Sequence, residues 1–373
     1  MKALIVFGTR PEAIKMCPLV LELKQTPGIE AIVCVTGQHR EMLDQVLDIF
    51  GVVPEYDLAI MKESQTINDI TTAILLKLGD VIAECRPDIV LVHGDTTTSM
   101  ASALAAFYQQ IPVGHVEAGL RTYNIYSPFP EEMNRKLISA LTTYHFAPTE
   151  RNRRALEREG VTENVFVTGN TVIDAFAYTT REDYTFKDET LRSFDFSQPT
   201  ILMTAHRREN LGAPLENICR AVLRIIEAHP DLHLIYPVHL NPAVRNTVFS
   251  MLGDNERIHL IDPIDVEDMH NAMKRSVLVL TDSGGLQEEA PHLGKPVVVL
   301  RTETERPEAV DAGTVVVAGV NENDIFRIVD ELLTNKETYQ NMSRAINPYG
   351  DGKASKRIAQ VLATGTLTDT FGE

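Results

Sequence analysis

Short continuous runs of Val, Ile and Leu recur along this chain, separated by longer stretches whose apolar residues return every three or four positions. The runs predict strands over residues 3–7, 31–36, 88–93, 113–116, 145–148 and 165–168. After a polar interval they predict a second series over 200–204, 232–237, 258–261, 277–281, 296–300 and 314–317. Most are apolar throughout rather than alternating, as in parallel strands covered on both faces. With helical stretches between them, the two series predict an α/β fold of two Rossmann-like, doubly wound domains in tandem. The least hydrophobic interval, 179–199, falls between the series, and the hinge is placed near Gly169-Asn170 just before it. The expected domains are residues 1–169 and 170–353. A last helix, over about 354–363, is expected to return to the first domain and carry residues 354–373 with it. Pro18 lies inside the first helical stretch, where a kink is expected.

At 373 residues the chain suits two domains of ordinary size. Its formal net charge of −17 argues against nucleic-acid and anionic-membrane partners, which call for a basic face. A small anionic ligand remains compatible, because a pocket needs only a few local cations. Cys17, Cys34, Cys85 and Cys219 are scattered, with no C-x-x-C pair and no adjoining histidine cluster. They read as reduced thiols, with no metal site expected. No apolar run approaches membrane length, and the N-terminal run reads as a strand rather than a signal peptide, so a cytoplasmic protein is expected.

In open α/β sheets ligands bind beyond the carboxyl ends of the strands, so the polar residues just past each run carry the functional signal. Past the first comes Gly8-Thr9-Arg10-Pro11-Glu12, then Lys15, where a tight turn opens a helix and two cations are placed to reach a phosphate. Past residue 93 comes Gly94-Asp95-Thr96-Thr97, in which Asp95 reads equally as a helix N-cap. Glu117 follows an apolar run, and a proline loop leads to Glu131-Glu132 at a helix start. First-turn acids commonly just complement the helix dipole. Acids after successive strands nevertheless exceed what capping requires and point to acid/base chemistry beside a phosphate. Neither G-x-G-x-x-G nor a P-loop pattern is present, which argues against a nicotinamide enzyme or P-loop ATPase.

In the second series, His206-Arg207-Arg208 ends a strand as a basic triplet suited to a diphosphate. His239 follows another strand and reads as readily as a capping residue. Thr281-Asp282-Ser283-Gly284-Gly285 joins a strand to a helix bearing Glu289. Glycines there allow close backbone approach, free amides face an anion, and Glu289 can accept from a sugar diol. The same stretch also reads as a turn with Ser283 or Asp282 as N-cap. Arg306 precedes Pro307 as a further phosphate or base contact.

Together, residues 8–12, 93–97, 115–121, 130–135, 204–210, 281–289, 305–308 and 347–352 resemble, in order, the bacterial non-hydrolysing UDP-N-acetylglucosamine 2-epimerases. The resemblance implies the GT-B architecture, with two Rossmann-like domains facing across a cleft. It implies that Ser283, Gly284 and Gly285 hold the UDP diphosphate and Glu289 the ribose. Arg10, Lys15, His206 and Arg306 would support the UDP, with Ile264 and Met269 at the uracil. Catalysis would fall to Asp95, Glu117, Glu131 and His206, with no cofactor. The implied reaction is an isomerisation: UDP is eliminated to leave 2-acetamidoglucal and added back with C2 inverted, giving UDP-N-acetylmannosamine for cell-envelope polysaccharide. The resemblance also implies a homodimer and a second UDP-N-acetylglucosamine as allosteric activator, at Gln38, Gln65, Arg207 and His239. Met269 departs from an aromatic common at its position, and Glu41 and Ser64 replace a glutamine and an arginine of the activator site. The alternatives are a hydrolysing epimerase, a GT-B glycosyltransferase, and a nucleotide-sugar sensor, which would have no use for the acids.

Overall fold

The computed structural model describes residues 1–37, 40–62 and 64–372. Their packing divides the chain into two compact units, residues 1–178 with 349–373, and residues 179–348. Both are parallel α/β sheets. In the first, strands β1 (Lys2–Phe7), β2 (Glu30–Val35), β3 (Tyr56–Asp57), β4 (Ile89–His93), β5 (Val113–Val116), β6 (Tyr144–Ala147) and β7 (Val165–Val167) lie in the order β3-β2-β1-β4-β5-β6-β7. In the second, β8 (Thr200–Thr204), β9 (His233–Pro237), β10 (Ile258–Ile261), β11 (Leu278–Thr281), β12 (Val297–Val299) and β13 (Val315–Val317) lie in the order β10-β9-β8-β11-β12-β13. Each predicted run forms a strand. The addition is β3, two residues that pair with Cys34 and Val35 and carry no apolar run to signal them. In both sheets the winding direction reverses between the first strand and the fourth, which opens a ligand crevice at their carboxyl ends.

The cores follow from the apolar runs. Phe7, Leu19, Val20 and Phe146 pack on one face of the first sheet, and Leu4, Val6, Ile74 and Leu78 on the other. The helix Arg10–Gln25 runs through Pro18 without a break, with Pro18 on its buried side. Packing over the whole buried face offsets the hydrogen bond that proline cannot donate.

Residues 171–178 belong with the first unit, nine residues beyond the hinge placed near Gly169, because Ala175 lies in its core and Tyr178 packs on Phe50 with ring centroids 5.6 Å apart. The polar interval 179–199 is no loose linker. Buried Asp268 accepts from the Tyr184 hydroxyl at 2.7 Å and from the amides of Lys187 at 3.0 Å and Asp188 at 2.9 Å, while Phe186 stacks on Phe196 at 5.1 Å. The C-terminal helix Ala354–Thr364 packs Ile358, Ala359 and Val361 into the first unit's core. Its first amides, Ala354 and Ser355, donate to the Asp174 carboxylate at 3.2 and 2.7 Å. Among the described residues no helix is long and apolar enough to cross a membrane.

Candidate active site

At the first unit's crevice, Gly8 follows β1 where a β-carbon would overlap the Thr36 hydroxyl, so only glycine fits. Thr9 and Glu12 then form a capping box for the helix Arg10–Gln25. Glu12 is almost fully buried and does more than cap. Its Oε2 accepts from the amides of Gly8 (3.0 Å) and Thr9 (2.8 Å), and its Oε1 from the hydroxyls of Thr96 (2.6 Å) and Ser99 (3.0 Å). One carboxylate thus ties the loop after β1 to the loop after β4.

Thr96, not Asp95, caps the helix Thr97–Tyr108, its hydroxyl accepting from Ser99 N at 3.0 Å. This corrects the capping reading of Asp95. Asp95 Oδ2 instead accepts from Arg135 Nε at 2.9 Å and Nη2 at 2.5 Å, while Asn134 Nδ2 donates to the Asp95 carbonyl at 2.9 Å. Arg135 also reaches the buried Glu132 at 3.0 Å, which accepts the amides of Thr122 and Tyr123, each at 3.0 Å. The paired acids at this helix start therefore differ in use. Glu132 braces a loop, whereas Glu131 Oε2 is buried and carries no hydrogen bond among the described residues.

Glu117 follows β5 with φ 64°, a left-handed conformation that costs a non-glycine residue roughly 1–2 kcal/mol. Its Oε2 meets the Lys15 ammonium, accepts from Asn170 Nδ2 at 3.0 Å and lies 3.4 Å from His93 Nε2. Burial alone would push this carboxyl up, but Lys15 and His93 outweigh it and hold it well below the usual carboxylate range. Beneath it, burial drives His115 down to about 3, so the ring is neutral and donates from Nε2 to the Gly94 carbonyl at 2.7 Å. Arg10 stands half-buried at the head of its helix.

In the second unit the loops after β8 and β11 meet at the corresponding crevice. Ser283 stands at the N-cap of the helix Gly284–Glu289, but its side chain makes no capping bond. A β-carbon on Gly284 would lie 3.7 Å from Arg306 Nη2 and 4.0 Å from Arg207 Nη2. Two guanidiniums therefore converge over the Ser-Gly-Gly turn, an arrangement that stabilises a bound phosphate group. Arg306 is steadied by an ion pair from Nε to buried Glu288. Glu289 is mostly buried beside Gly285, and its Oε2 lies 3.4 Å from Nε2 of buried His270. Ile264, in the loop after β10, and Met269, on the helix Val266–Arg275, are half-buried.

Asp282 does not cap either. Its Oδ2 accepts from the amides of His206 and Arg207, each at 2.8 Å, and from Asn210 Nδ2 at 2.9 Å. The His206 ring stacks on His239 at 5.3 Å. Burial holds His206 below its ordinary value, against the pull of Asp282 and with help from His239 and Arg207.

Of the residues assigned to an activator, Arg207 and His239 thus adjoin the anion turn and His206. Gln65 donates its amide to the Ile60 carbonyl at 2.5 Å, and Gln38 lies outside the described residues. Glu12, His93, Asn170, Asp282 and His270 complete these clusters without having been assigned from sequence. The Thr9-x-x-Glu12 spacing, that of a capping box, is the local signal that could have found Glu12. Nothing local distinguishes the others. Among the described residues no group of histidine, cysteine and acidic side chains could hold a metal ion.

A family model described as UDP-N-acetylglucosamine 2-epimerase matches residues 21–363. The chain is 54% identical over 363 residues to the UDP-N-acetylglucosamine 2-epimerase of Bacillus subtilis, covering 97% of this chain and 95% of that one. It is 53% identical over 377 residues to that of Escherichia coli K12, covering 99% and 100%. The crystal structure of the Neisseria meningitidis UDP-GlcNAc 2-epimerase bound to UDP-GlcNAc superimposes with a TM-score of 0.89 at 49% identity, covering 97% of this chain and all of that one. These matches accord with two Rossmann-like α/β units of the GT-B kind.

Proposed function

This chain belongs to the UDP-N-acetylglucosamine 2-epimerase family, and from that membership we propose that it inverts C2 of UDP-N-acetylglucosamine without net hydrolysis. The second unit's turn, Ser283 to Gly285 with Arg207 and Arg306, takes the diphosphate, and Glu289 the ribose hydroxyls. The C2–H bond is weakly acidic, so departure of UDP from C1 leads or accompanies loss of that proton. Guanidiniums gathered over the diphosphate stabilise the negative charge that then develops. A carboxylate of the first unit removes the C2 proton, UDP leaves 2-acetamidoglucal, and re-addition with a proton delivered to the opposite face completes the inversion.

One observation carries this reading: Asp95 and Glu117, two of the acids after successive strands of the first unit, are not spent on helix ends. Thr96 does the capping, Asp95 is held by Arg135, and Glu117 is kept ionised by Lys15 in a strained backbone. A nucleotide-sugar sensor would have no use for that arrangement. The proposal extends to a homodimer acting in the cytoplasm and supplying an N-acetylmannosamine donor for envelope polysaccharide. It extends also to an activator molecule of UDP-N-acetylglucosamine, supported by Arg207 over the anion turn and by His239 stacked on His206.

The test is incubation of the protein with UDP-N-acetylglucosamine in D2O, followed by proton and phosphorus NMR. Deuterium is expected at C2, with UDP-N-acetylmannosamine formed and the diphosphate ester retained. Stoichiometric UDP with free N-acetylmannosamine would establish the hydrolysing reaction instead, and binding without exchange would reject epimerisation.

A further inference from the structure

Asp282 follows β11 with its side chain fully buried. One oxygen, Oδ2, meets the needs of the fold by accepting from His206 N, Arg207 N and Asn210 Nδ2 at 2.8 to 2.9 Å. The other, Oδ1, is buried without a hydrogen bond among the described residues and faces His206 Nδ1 at 3.5 Å. That separation is slightly long for a hydrogen bond, and a small turn of the imidazole closes it. A buried carboxylate oxygen aimed at a ring nitrogen is surplus to bracing the loop, yet it costs free energy to keep unpaired.

We propose that Asp282 is a positioning residue for His206, fixing a proton on Nδ1 so that Nε2 is the nitrogen offered to the departing diphosphate. The proposal rests on the elimination reading above. An ionised carboxylate only accepts, so a neutral imidazole turned toward it carries its hydrogen on Nδ1. When Nε2 also takes a proton, the Asp282 charge steadies the imidazolium. The groups facing His206 are Asp282, His239 and Arg207; the latter two disfavour its charged form, and Asp282 alone among them favours it. A diphosphate at Nε2 adds further negative charge on that side. As the C1–O bond breaks, its electron pair passes to the diphosphate oxygen and the Nε2 proton of His206 is donated to that oxygen. The C2 proton goes to a carboxylate. On re-addition the diphosphate oxygen's electron pair re-forms the C1–O bond, its proton returns to Nε2 of His206, and C2 receives a proton from another group on its opposite face.

Asp282→Asn separates this role from bracing. The carboxamide oxygen can still receive the same N–H donors, but its NH2 then faces His206 Nδ1 and inverts the tautomer. Nitrogen-15 NMR of the imidazole is expected to show the Nδ1–H form in the wild type and the Nε2–H form in D282N. The variant should lose about 10²-fold in kcat with UDP affinity nearly unchanged. The alkaline limb of its kcat profile should move to lower pH, since the imidazolium is lost sooner. In a His206→Gln background D282N should cost nothing further, because the two act as a unit. An Nε2–H tautomer in the wild type, or an equal loss from D282N with and without His206, would overturn the proposal. Absence of C2 exchange in the wild type would reject the elimination reading instead, and the tautomer measurement would stand independently of it.

Discussion

Glu117 shows how a single carboxylate is kept charged while buried. Its Oε2 collects Lys15, Asn170 and His93, and Lys15 with His93 prevails over a burial penalty that would otherwise neutralise it. Because its folded pKa lies below the unfolded value, the stability it contributes is present above the ordinary carboxylate range. That contribution is lost as pH falls through the depressed value. Replacing Lys15 by Met removes the opposing charge, so the acidic limb of the kcat/KM profile should move up by about one to three pH units. Glu117→Gln should lower kcat by about 10²- to 10⁴-fold while calorimetric binding of UDP persists. Retention of full turnover by E117Q would remove Glu117 from the chemistry. The sequence marked Glu117 as one of the acids beyond what capping requires, but not its partner: Lys15 lies 102 positions away.

At the scale of elements, the loops past β1 and β4 act as one part because Glu12 spans them. Gly8 admits this closeness. A Gly8→Ala side chain would overlap the Thr36 hydroxyl, and denaturant titration should show a loss of about 1–3 kcal/mol, partly recovered in G8A/T36A. Strands were the most legible elements, since a parallel strand buried on both faces must be apolar along its length. The short edge strand β3 escaped because Tyr56 and Asp57 carry no such run. Helix caps were the least reliable reading. Thr96 caps where Asp95 was equally suited by residue type, and the choice falls to Arg135, whose guanidinium draws the carboxylate away. The interval 179–199 reads as polar, yet Tyr184, Phe186, Phe194 and Phe196 form an aromatic cluster within it.

Across the whole molecule, the first unit is assembled from chain segments separated by the entire second unit. Arg357, nearly fully buried, joins them. It donates to the Thr168 carbonyl at 3.1 Å, to Asp351 at 2.7 and 2.9 Å, and to the Asp369 carboxylate at 3.0 Å. Arg357→Met leaves the Thr168 carbonyl short of a donor and should cost about 1–3 kcal/mol. Hydrogen exchange should then quicken in the helices Arg10–Gln25 and Ala354–Thr364 and stay unchanged in strands β8 to β13. Equal quickening throughout would show that the units do not unfold separately. The net charge of −17 also acts at this scale. An anionic sugar nucleotide gains no long-range attraction from it, so on the proposed reading its capture falls to Arg207 and Arg306 at one turn.

What the sequence determined by itself is the succession of strands and helices and the polar residues that end each strand, because burial of a parallel strand imposes a local and readable pattern. The motif order likewise carried the family. Tertiary structure alone decided which charges meet. Lys15 finds Glu117, Arg135 finds Asp95, and Asp282 reaches His206 and Arg207 across 76 and 75 positions. Sheet order determines these meetings by setting β4 between β1 and β5, and β8 beside β11. The strength of each pairing depends on burial, which no stretch of sequence specifies until its neighbours are in place.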